Sequence, residues 1–253
     1  MLKNNKNKIW DVIIIGGGAS GMMAGSVASE RGLSVLLLDK NKNLGEKLKI
    51  TGGGRCNITN NEPDIHKLLS VYGEGTPFLY SPFSIFGVKD TFNFFEKRGL
   101  PLVVQARNRV FPETENALDV FNVLYKDLIN NNVCIKNNCT VLGLEKDKNK
   151  IVSVRTNMGE FFAKSFVLAT GGLSHPETGS TGDGYKFLKE LGHRVVEPSP
   201  DVVPISVADN WVKNLAGVSL SFMKITFYLN GKKSFSKTGK ILFTHFGLSG
   251  PLI

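Results

Sequence analysis

A glycine-rich turn between two apolar segments is the feature that most constrains how this chain folds. An apolar strand is predicted at residues 12–15, and three glycines with G-x-G-x-x-G spacing follow it directly. A helix of small residues is predicted from about 20 to 30, and a second apolar strand at 35–38 ends at Asp39. A strand, a helix and a second strand ending in an acid together predict a dinucleotide-binding β-α-β unit.

Each glycine of this turn has a physical role in such a unit. Gly16 permits the tight turn, Gly18 lets the backbone approach a pyrophosphate, and Gly21 lets the helix pack close to the strand. The N-terminus of the helix, beside Ala19, offers unpaired N–H groups to an anion. Asp39 follows at a spacing typical of an acid that binds a ribose hydroxyl. The spacing alone fits both FAD and NAD.

A second run of glycines follows the second predicted strand. Gly52–Gly54 are consecutive and are framed by Lys47, Lys49 and Arg55. Consecutive glycines expose backbone N–H groups that can form an anion nest, and the flanking cations add a favourable field. A flexible basic surface loop is the alternative interpretation. We interpret the run as a second backbone cradle, which suits a long, extended cofactor.

A third turn of this kind lies far downstream. Residues 166–169 are predicted to form a buried strand that ends at Thr170-Gly171-Gly172, and a helix is predicted at 185–191, capped by Gly192. Open α/β sheets bind ligands at the carboxyl ends of their strands, so this turn is expected to meet the first glycine turn.

Four long segments carry a family resemblance, and they are spread over almost the whole chain. The segments KLKITGGGRCNITN, RVFPETENALDVFNVL, ATGGLSHPETGSTGDGY and ILFTHFGLSGP are together similar to the BaiN/YhiN-type flavoproteins, often described as aminoacetone-oxidase-like. The similarity also extends to flavoproteins related to fumarate reductase, which have two dinucleotide folds. The resemblance implies an FAD-binding domain with a second domain inserted into it, and an oxidoreductase activity whose substrate differs among members.

The chain departs from the family pattern in two respects. Members of the family are longer, with a return segment that completes the FAD site, so we expect this chain to be a fragment. The resemblance also implies an aromatic residue such as tyrosine at the position of His175.

The remaining pattern completes an α/β prediction. Helices are predicted at 90–97 and 117–129, and strands at 102–104, 139–144, 151–156 and 161–162. The last three strands are typical of an antiparallel meander. After Pro198-Ser199-Pro200 the sequence pattern changes, and residues 218–229 alternate in the manner of a β-strand. We therefore predict a Rossmann-like FAD-binding domain with an antiparallel β-meander at 1–200, and the start of an inserted β-rich substrate domain at 201–253, beginning near Asp201.

Composition and charge restrict the classes of function. The hydrophobic fraction of 42% is ordinary for a globular protein, and no window approaches the roughly 18 apolar residues of a membrane span. The apolar stretch at 12–15 is too short for a secretion signal, so we expect a cytoplasmic protein with no membrane partner. The net charge of +9 is compatible with an anionic ligand or RNA.

The cysteines do not predict a metal site. Cys56, Cys134 and Cys139 lack the spacing of metal ligands. The separation of five between Cys134 and Cys139 predicts opposite faces of a single strand.

The three turns and the resemblance together define a set of predicted site residues. The predicted FAD-binding residues are Gly16, Gly18, Ala19, Gly21, Asp39, Lys40, Lys47, Thr51, Gly52, Gly53, Gly54, Arg55, Cys56, Asn57, Thr170, Gly171, Gly172, Gly182 and Asp183. His175 and His245 are candidate proton carriers, with ordinary structural histidines as the alternative. Arg109 is a candidate for gripping an anionic substrate, with a surface salt bridge as the alternative.

Several functions remain open at this point. The resemblance implies an FAD enzyme that takes a hydride from NAD(P)H and reduces a carbon–carbon double bond conjugated to a carbonyl in a small molecule. The same chemistry on uridine in ribosomal RNA is a second hypothesis, and an amine oxidase or a non-enzymatic flavin-binding module are others. The chain has no second G-x-G-x-x-G, so a nicotinamide is expected to bind only transiently.

Overall fold

Helices and strands are mixed along the chain up to Glu190, and strands predominate after it. The computed structural model describes residues 8–200, 203–250 and 252–253. The strands are β1 (Ile9–Ile15), β2 (Val35–Leu38), β3 (Thr59–Asn60), β4 (Leu102–Gln105), β5 (Arg109–Pro112), β6 (Cys134–Lys136), β7 (Val141–Asp147), β8 (Lys150–Thr156), β9 (Gly159–Leu168), β10 (Ile205–Ser206), β11 (Ser219–Leu229), β12 (Lys232–Phe243) and β13 (Gly247–Ser249). The helices are α1 (Ala19–Glu30), α2 (Glu46–Gly54), α3 (Ile65–Ser70), α4 (Thr76–Ile85), α5 (Val88–Glu96), α6 (Ala117–Asn130), α7 (Asp183–Glu190) and α8 (Asn210–Asn214).

The described residues fall into two units, which divide between Val195 and Val196. The domain boundary predicted near Asp201 lies outside the described residues. The assignment of the two parts to FAD binding and substrate binding stays a prediction. Within the described ranges, no helix combines the length and the apolarity needed to cross a membrane.

The main sheet of the first unit has the strand order β6-β2-β1-β9-β8-β7. The strands β6, β2, β1 and β9 run parallel, while β7, β8 and β9 form an antiparallel meander. Residues 12–15 of the central strand β1 are a continuous, buried apolar run because both faces of the strand are covered there. Ile14 packs in a cluster with Leu128 of α6, whereas Ile13 packs in a second cluster with Val154 of the meander. This architecture confirms the predicted α/β, Rossmann-like fold with an antiparallel β-meander.

One ion pair ties the two strands at the centre of this sheet. The Nζ of Lys164 on β9 lies 2.7 Å from Oδ1 of Asp11 on β1. The hydrogen bond from Lys164, with further ones from Ser34, holds the pKa of Asp11 well below its usual value.

Some predicted details of the first unit were wrong. Cys134 and Cys139 do not share a strand, because β6 ends at Lys136 and the chain turns through Asn138 in the left-handed region (φ 53°). The segments 161–162 and 166–169 were predicted as separate strands, but β9 is continuous through most of both. The helices α3 and α4 were not predicted, and α4 buries no side chain, so it lacks the one-sided apolar pattern that sequence reading depends on.

The second unit is built on a four-stranded antiparallel sheet with the order β10-β13-β12-β11. The strands β11 and β12 form a hairpin, and the two residues between them, Asn230 and Gly231, both have positive φ, as the tightest hairpin turns require. The strand β13 pairs with β12 only at Leu242 and Phe243, so the rest of the hairpin is a two-stranded ribbon.

Candidate functional site

A cavity of about 340 Å³ lies at one edge of the main sheet. Its lining includes the residues that follow the carboxyl ends of all four parallel strands. These residues are Gly16, Gly18, Ala19 and Ser20 after β1, Asp39, Lys40 and Asn41 after β2, Cys139, Thr140 and Val141 after β6, and Ala169, Thr170 and Gly171 after β9. Open α/β sheets bind their ligands at this position, so the cavity is the candidate functional site.

The first glycine turn forms one wall of the cavity. A Cβ at Gly16 would collide with the carbonyl oxygen of Ala169, and a Cβ at Gly21 would collide with that of Gly16. Gly18 differs, since a Cβ built on it meets nothing within 4 Å. No side chain caps α1 at Gly18, so the first amides of the helix stay open to an anion. Gly16 and Gly21 therefore serve packing, and Gly18 is the position where a ligand can approach the backbone.

Asp39 stands at the end of β2, opposite this turn. Its Oδ2 accepts a hydrogen bond from the backbone N–H of Gly17 at 2.6 Å, and its Oδ1 accepts one from Asn41 at 2.7 Å. Burial raises the pKa of Asp39 above its usual value. The two backbone hydrogen bonds fix the carboxylate in the cavity wall, and each oxygen keeps a lone pair for a ligand hydroxyl.

Lys40 and Asp183 form an ion pair that joins the end of β2 to the start of α7. The Nζ of Lys40 lies 2.7 Å from Oδ2 of Asp183 and 2.6 Å from Oγ1 of Thr181. Burial alone raises the pKa of Asp183, but the hydrogen bonds from Lys40 and Thr181 outweigh it and leave that pKa below its usual value. Lys40 and Asp183 both line the cavity, so the pair holds two of its walls together.

Two more side chains reach the segment before α7. The Nζ of Lys47 donates to the carbonyl oxygen of Ser174 at 2.5 Å, and Nδ2 of Asn41 donates to that of Thr178 at 3.0 Å. Gly179 has φ 96°, and a Cβ there would press against Asn41. The segment is therefore tied to the residues after β2 along its length.

The second glycine run interrupts α2 and does not continue it as a regular helix. Thr51 has an extended backbone (ψ 150°), and Gly52, Gly53 and Gly54 take left-handed φ of 58°, 68° and 83°. Thr51 lines the cavity, but the three glycines do not. A Cβ on Gly53 or Gly54 meets nothing within 4 Å, so their backbone is open. The anion nest at these glycines stays a prediction.

Arg55, Cys56 and Asn57 support the small sheet β3-β5-β4 and do not line the cavity. The Arg55 guanidinium lies 4.4 Å from the centre of the Phe111 ring, and its NH1 lies 3.4 Å from Oε1 of Glu115. Cys56 is buried, and burial raises the pKa of its thiol.

The amide of Asn57, oriented to donate, bonds to the carbonyl oxygens of Thr59 and Val110. The side chains of Arg55 and Asn57 are thus engaged by neighbouring protein groups.

The candidate catalytic residues are not gathered at the cavity. Arg109 on β5 donates from Nε to the carbonyl oxygen of Ala106 at 3.1 Å. His175 is exposed in the left-handed region (φ 53°), and its Nδ1 lies 2.8 Å from Oε1 of Glu177. Neither lines the cavity. His245 belongs to the second unit, where it is exposed beside Phe246. Their catalytic roles stay predictions.

Some of the other predicted site residues line the cavity, and others do not. Lys47, Thr51 and Asp183 line the cavity. Gly172 and Gly182 do not, and Gly182 instead sits at the N-terminus of α7 with φ 81°.

Sequence reasoning missed one wall of the cavity altogether. Cys139, Thr140 and Val141 line it, because β6 is the parallel neighbour of β2 and the chain that follows β6 reaches the same edge. No local signal marks this wall, because the pairing of β6 with β2 joins residues about 100 positions apart in the sequence.

The amino-acid sequence matches a known family over residues 10–243, described as the HI0933-like protein Rossmann domain. The chain belongs to this family. The match confirms the family resemblance inferred from the sequence motifs. The HI0933-like chain is also similar to a solved flavocytochrome c3 fumarate reductase in an open conformation, with a TM-score of 0.62, 20% identity, and coverage of 85% of this chain and 47% of the other. At that identity the likeness supports the fold alone.

Two curated relatives are similar over nearly all of this HI0933-like chain. The chain is 30% identical over 239 residues to a 3-dehydro-bile acid delta(4,6)-reductase of Clostridium scindens, covering 94% of this chain and 57% of the relative. It is 29% identical over 244 residues to a ribosomal RNA dihydrouridine synthase of Escherichia coli, covering 96% and 59%. The chain therefore spans less than three fifths of the length of these relatives.

Proposed function

We propose that the chain is the FAD-binding part of an oxidoreductase. The observation that carries the proposal is the cavity at the carboxyl ends of four parallel strands, with an open Gly18 on one side and the fixed carboxylate of Asp39 on the other. A long anionic cofactor with a ribose fits these residues, because the backbone is open where a pyrophosphate must approach and an acceptor is ready for a hydroxyl. Family membership and the fumarate reductase fold support FAD as that cofactor.

Two parts of the cofactor, the pyrophosphate and a ribose, have residues suited to hold them. The amides at the start of α1, beside Gly18, would bind the pyrophosphate, and Asp39 would accept from a ribose hydroxyl. Lys40 and Lys47 add positive field to the same cavity. Bound FAD supplies two-electron transfer, so the chain needs no nucleophile of its own.

We further propose that the reaction reduces a carbon–carbon double bond conjugated to a carbonyl, with NAD(P)H as the donor. The names of both relatives describe such a reduction, one in a bile-acid ring system and one in a uracil ring. A hydride and a proton add across the double bond in either substrate, and NAD(P)H is oxidised to NAD(P)⁺. The proton donor is proposed among His175 and His245, and Arg109 is proposed to hold an anionic group of the substrate.

The second candidate function is uridine reduction in ribosomal RNA. The relative from Escherichia coli carries that name, and the net charge of +9 suits a polyanionic substrate.

The experiment uses the purified chain with added FAD, and its visible spectrum is recorded first. A yellow protein whose chromophore is identified as FAD by mass spectrometry is expected, and a protein that stays colourless refutes the proposal. NAD(P)H oxidation is then followed with a small conjugated enone and, separately, with a uridine-rich RNA. Rapid reoxidation of the reduced protein by air, without turnover of either acceptor, would support the amine oxidase instead. The control variant for each substitution of Arg109, His175 or His245 is Lys148→Gln. Lys148 is exposed in the turn between β7 and β8.

A further inference from the structure

We propose that the β11–β12 ribbon is a surface that binds single-stranded RNA. The lysine ribbon is defined as Ser219–Phe243, and it contains no Asp or Glu. Its positive residues are Lys224, Lys232, Lys233, Lys237 and Lys240. None of these lysines forms an ion pair with another residue in the part of the chain that the structure describes. A basic ribbon of strands is a known way to contact nucleic acid.

The positive charge is spread over both faces of the ribbon. Lys237 pairs with Ile225, which packs against the small core of the second unit, so Lys237 lies on that face. Lys224 pairs with Thr238 on the opposite face, because neighbouring residues of a strand alternate. A membrane-binding surface concentrates its lysines at one interface, whereas a strand of RNA can follow charges around a ribbon. The distribution therefore favours RNA.

A bulge in β11 provides the second observation. Leu220 pairs with Ile241 and Met223 with Gly239, so Ser221 and Phe222 stand opposite Lys240 alone. Bulges often redirect a side chain, and this one leaves the Phe222 ring 90% exposed.

The backbone of Phe222 is also strained. Its φ is 60°, a conformation that bulky residues rarely adopt and that persists mainly where function requires it. The bulge thus presents an aromatic ring beside a lysine.

Tyr228 gives a second ring near the hairpin turn. It is 66% exposed and pairs with Lys233 across the ribbon. Nucleic-acid bases stack on such rings without regard to sequence, while neighbouring cations contact the phosphates. The ribbon thus has two sites that combine a ring for stacking with a positive charge, as single-stranded RNA requires. These sites are Phe222 with Lys240 and Tyr228 with Lys233. The choice of RNA over DNA rests on the proposed function.

Binding is measured by fluorescence anisotropy of a labelled, uridine-rich RNA of roughly 12 nucleotides. With about five phosphate contacts, the slope of log affinity against log salt is expected near −3.5, which corresponds to a loss of about 100-fold between 50 and 200 mM salt. Replacing all five ribbon lysines with glutamine is expected to bring the slope above about −1. Phe222→Ala and Tyr228→Ala are each expected to weaken binding by about 5-fold to 150-fold.

The control variant changes five exposed lysines outside the ribbon to glutamine and keeps the same net charge as the test variant. These are Lys126, Lys146, Lys148, Lys150 and Lys213. Circular dichroism and thermal unfolding show whether each variant is folded. Equal RNA affinities for the ribbon variant and the control variant overturn the proposal.

Three other results also overturn it: no RNA binding by the folded chain, binding only to phosphatidylserine-containing vesicles, or tighter binding to DNA of the same sequence. The assay contains no FAD and no nicotinamide. It therefore reports on the ribbon even if the proposed oxidoreductase function fails, and a failed ribbon leaves the cofactor assay unaffected.

Discussion

The substitutions Gly18→Ala and Gly21→Ala make the same chemical change in the same turn, but the structure predicts opposite results. Gly18 has an extended backbone (φ −76°, ψ −171°), and its added methyl meets no protein atom within 4 Å, so Gly18→Ala is expected to change the unfolding free energy by less than about 1 kcal/mol. The methyl points into the space through which a pyrophosphate must reach the backbone. Losing one hydrogen bond between an amide and a charged phosphate costs about 1.5–3 kcal/mol, which predicts FAD binding weaker by about 10-fold to 150-fold.

Gly21→Ala, in contrast, is expected to lower the unfolding free energy of the protein. Its methyl collides with the carbonyl oxygen of Gly16 inside the packed turn, and overpacking of this kind costs about 1–3 kcal/mol or more. The assays are urea unfolding of the protein without cofactor and quenching of flavin fluorescence on titration with FAD. A folded Gly18→Ala protein that binds FAD as tightly as the parent chain would refute the assignment of Gly18 to the cofactor.

Three further predictions concern the sheet and the cavity. Leu37→Ala, in the fully buried β2, is expected to lower the unfolding free energy by about 2–5 kcal/mol, and Leu142→Ala, which is 46% exposed, by less than about 1 kcal/mol, both measured by urea unfolding. The lowered pKa of Asp11, paired with Lys164, contributes stability that is present above the usual carboxyl pKa near 3.8 and is lost as the pH falls below it. The Asp11→Asn protein is therefore expected to lose less stability between pH 6 and pH 3 than the parent, and an equal loss in urea unfolding would contradict this. Asp39→Asn is expected to weaken FAD binding about 10-fold in the flavin titration, since the amide keeps one acceptor oxygen where the carboxylate has two. An unchanged affinity would show that Asp39 does not hold the ribose.

The parts of the fold that could be predicted from the sequence are those set by local spacing. The strand, glycine turn and helix at the start of the chain depend on residues close together in sequence, and β2 was predicted with its observed ends. The meeting of Gly18 and Gly171 at one cavity followed from a general rule about the ends of parallel strands. Sequence reasoning was therefore sufficient where local spacing or this rule about strand ends applied.

The rest depends on contacts between distant residues. Nothing local indicates that β6 lies beside β2, so the Thr140 wall of the cavity could not be seen. The assignment of Arg55 and Asn57 to the cofactor stays a prediction. In the structure their side chains contact the Phe111 ring and carbonyl groups of the small sheet, and the sequence could not indicate these contacts because they require β5, about 50 residues further along the chain.

The contact between Gly16 and Ala169 has a consequence for the way this protein is made. The two residues are roughly 150 positions apart, yet the backbone of Ala169 lies so close to Gly16 that a Cβ on Gly16 would collide with its carbonyl oxygen. The cavity beside the glycine turn is therefore complete only after β9 and the turn that follows it have been synthesised. We expect capture of the proposed cofactor to belong to the late stages of folding, although the glycine turn is synthesised early.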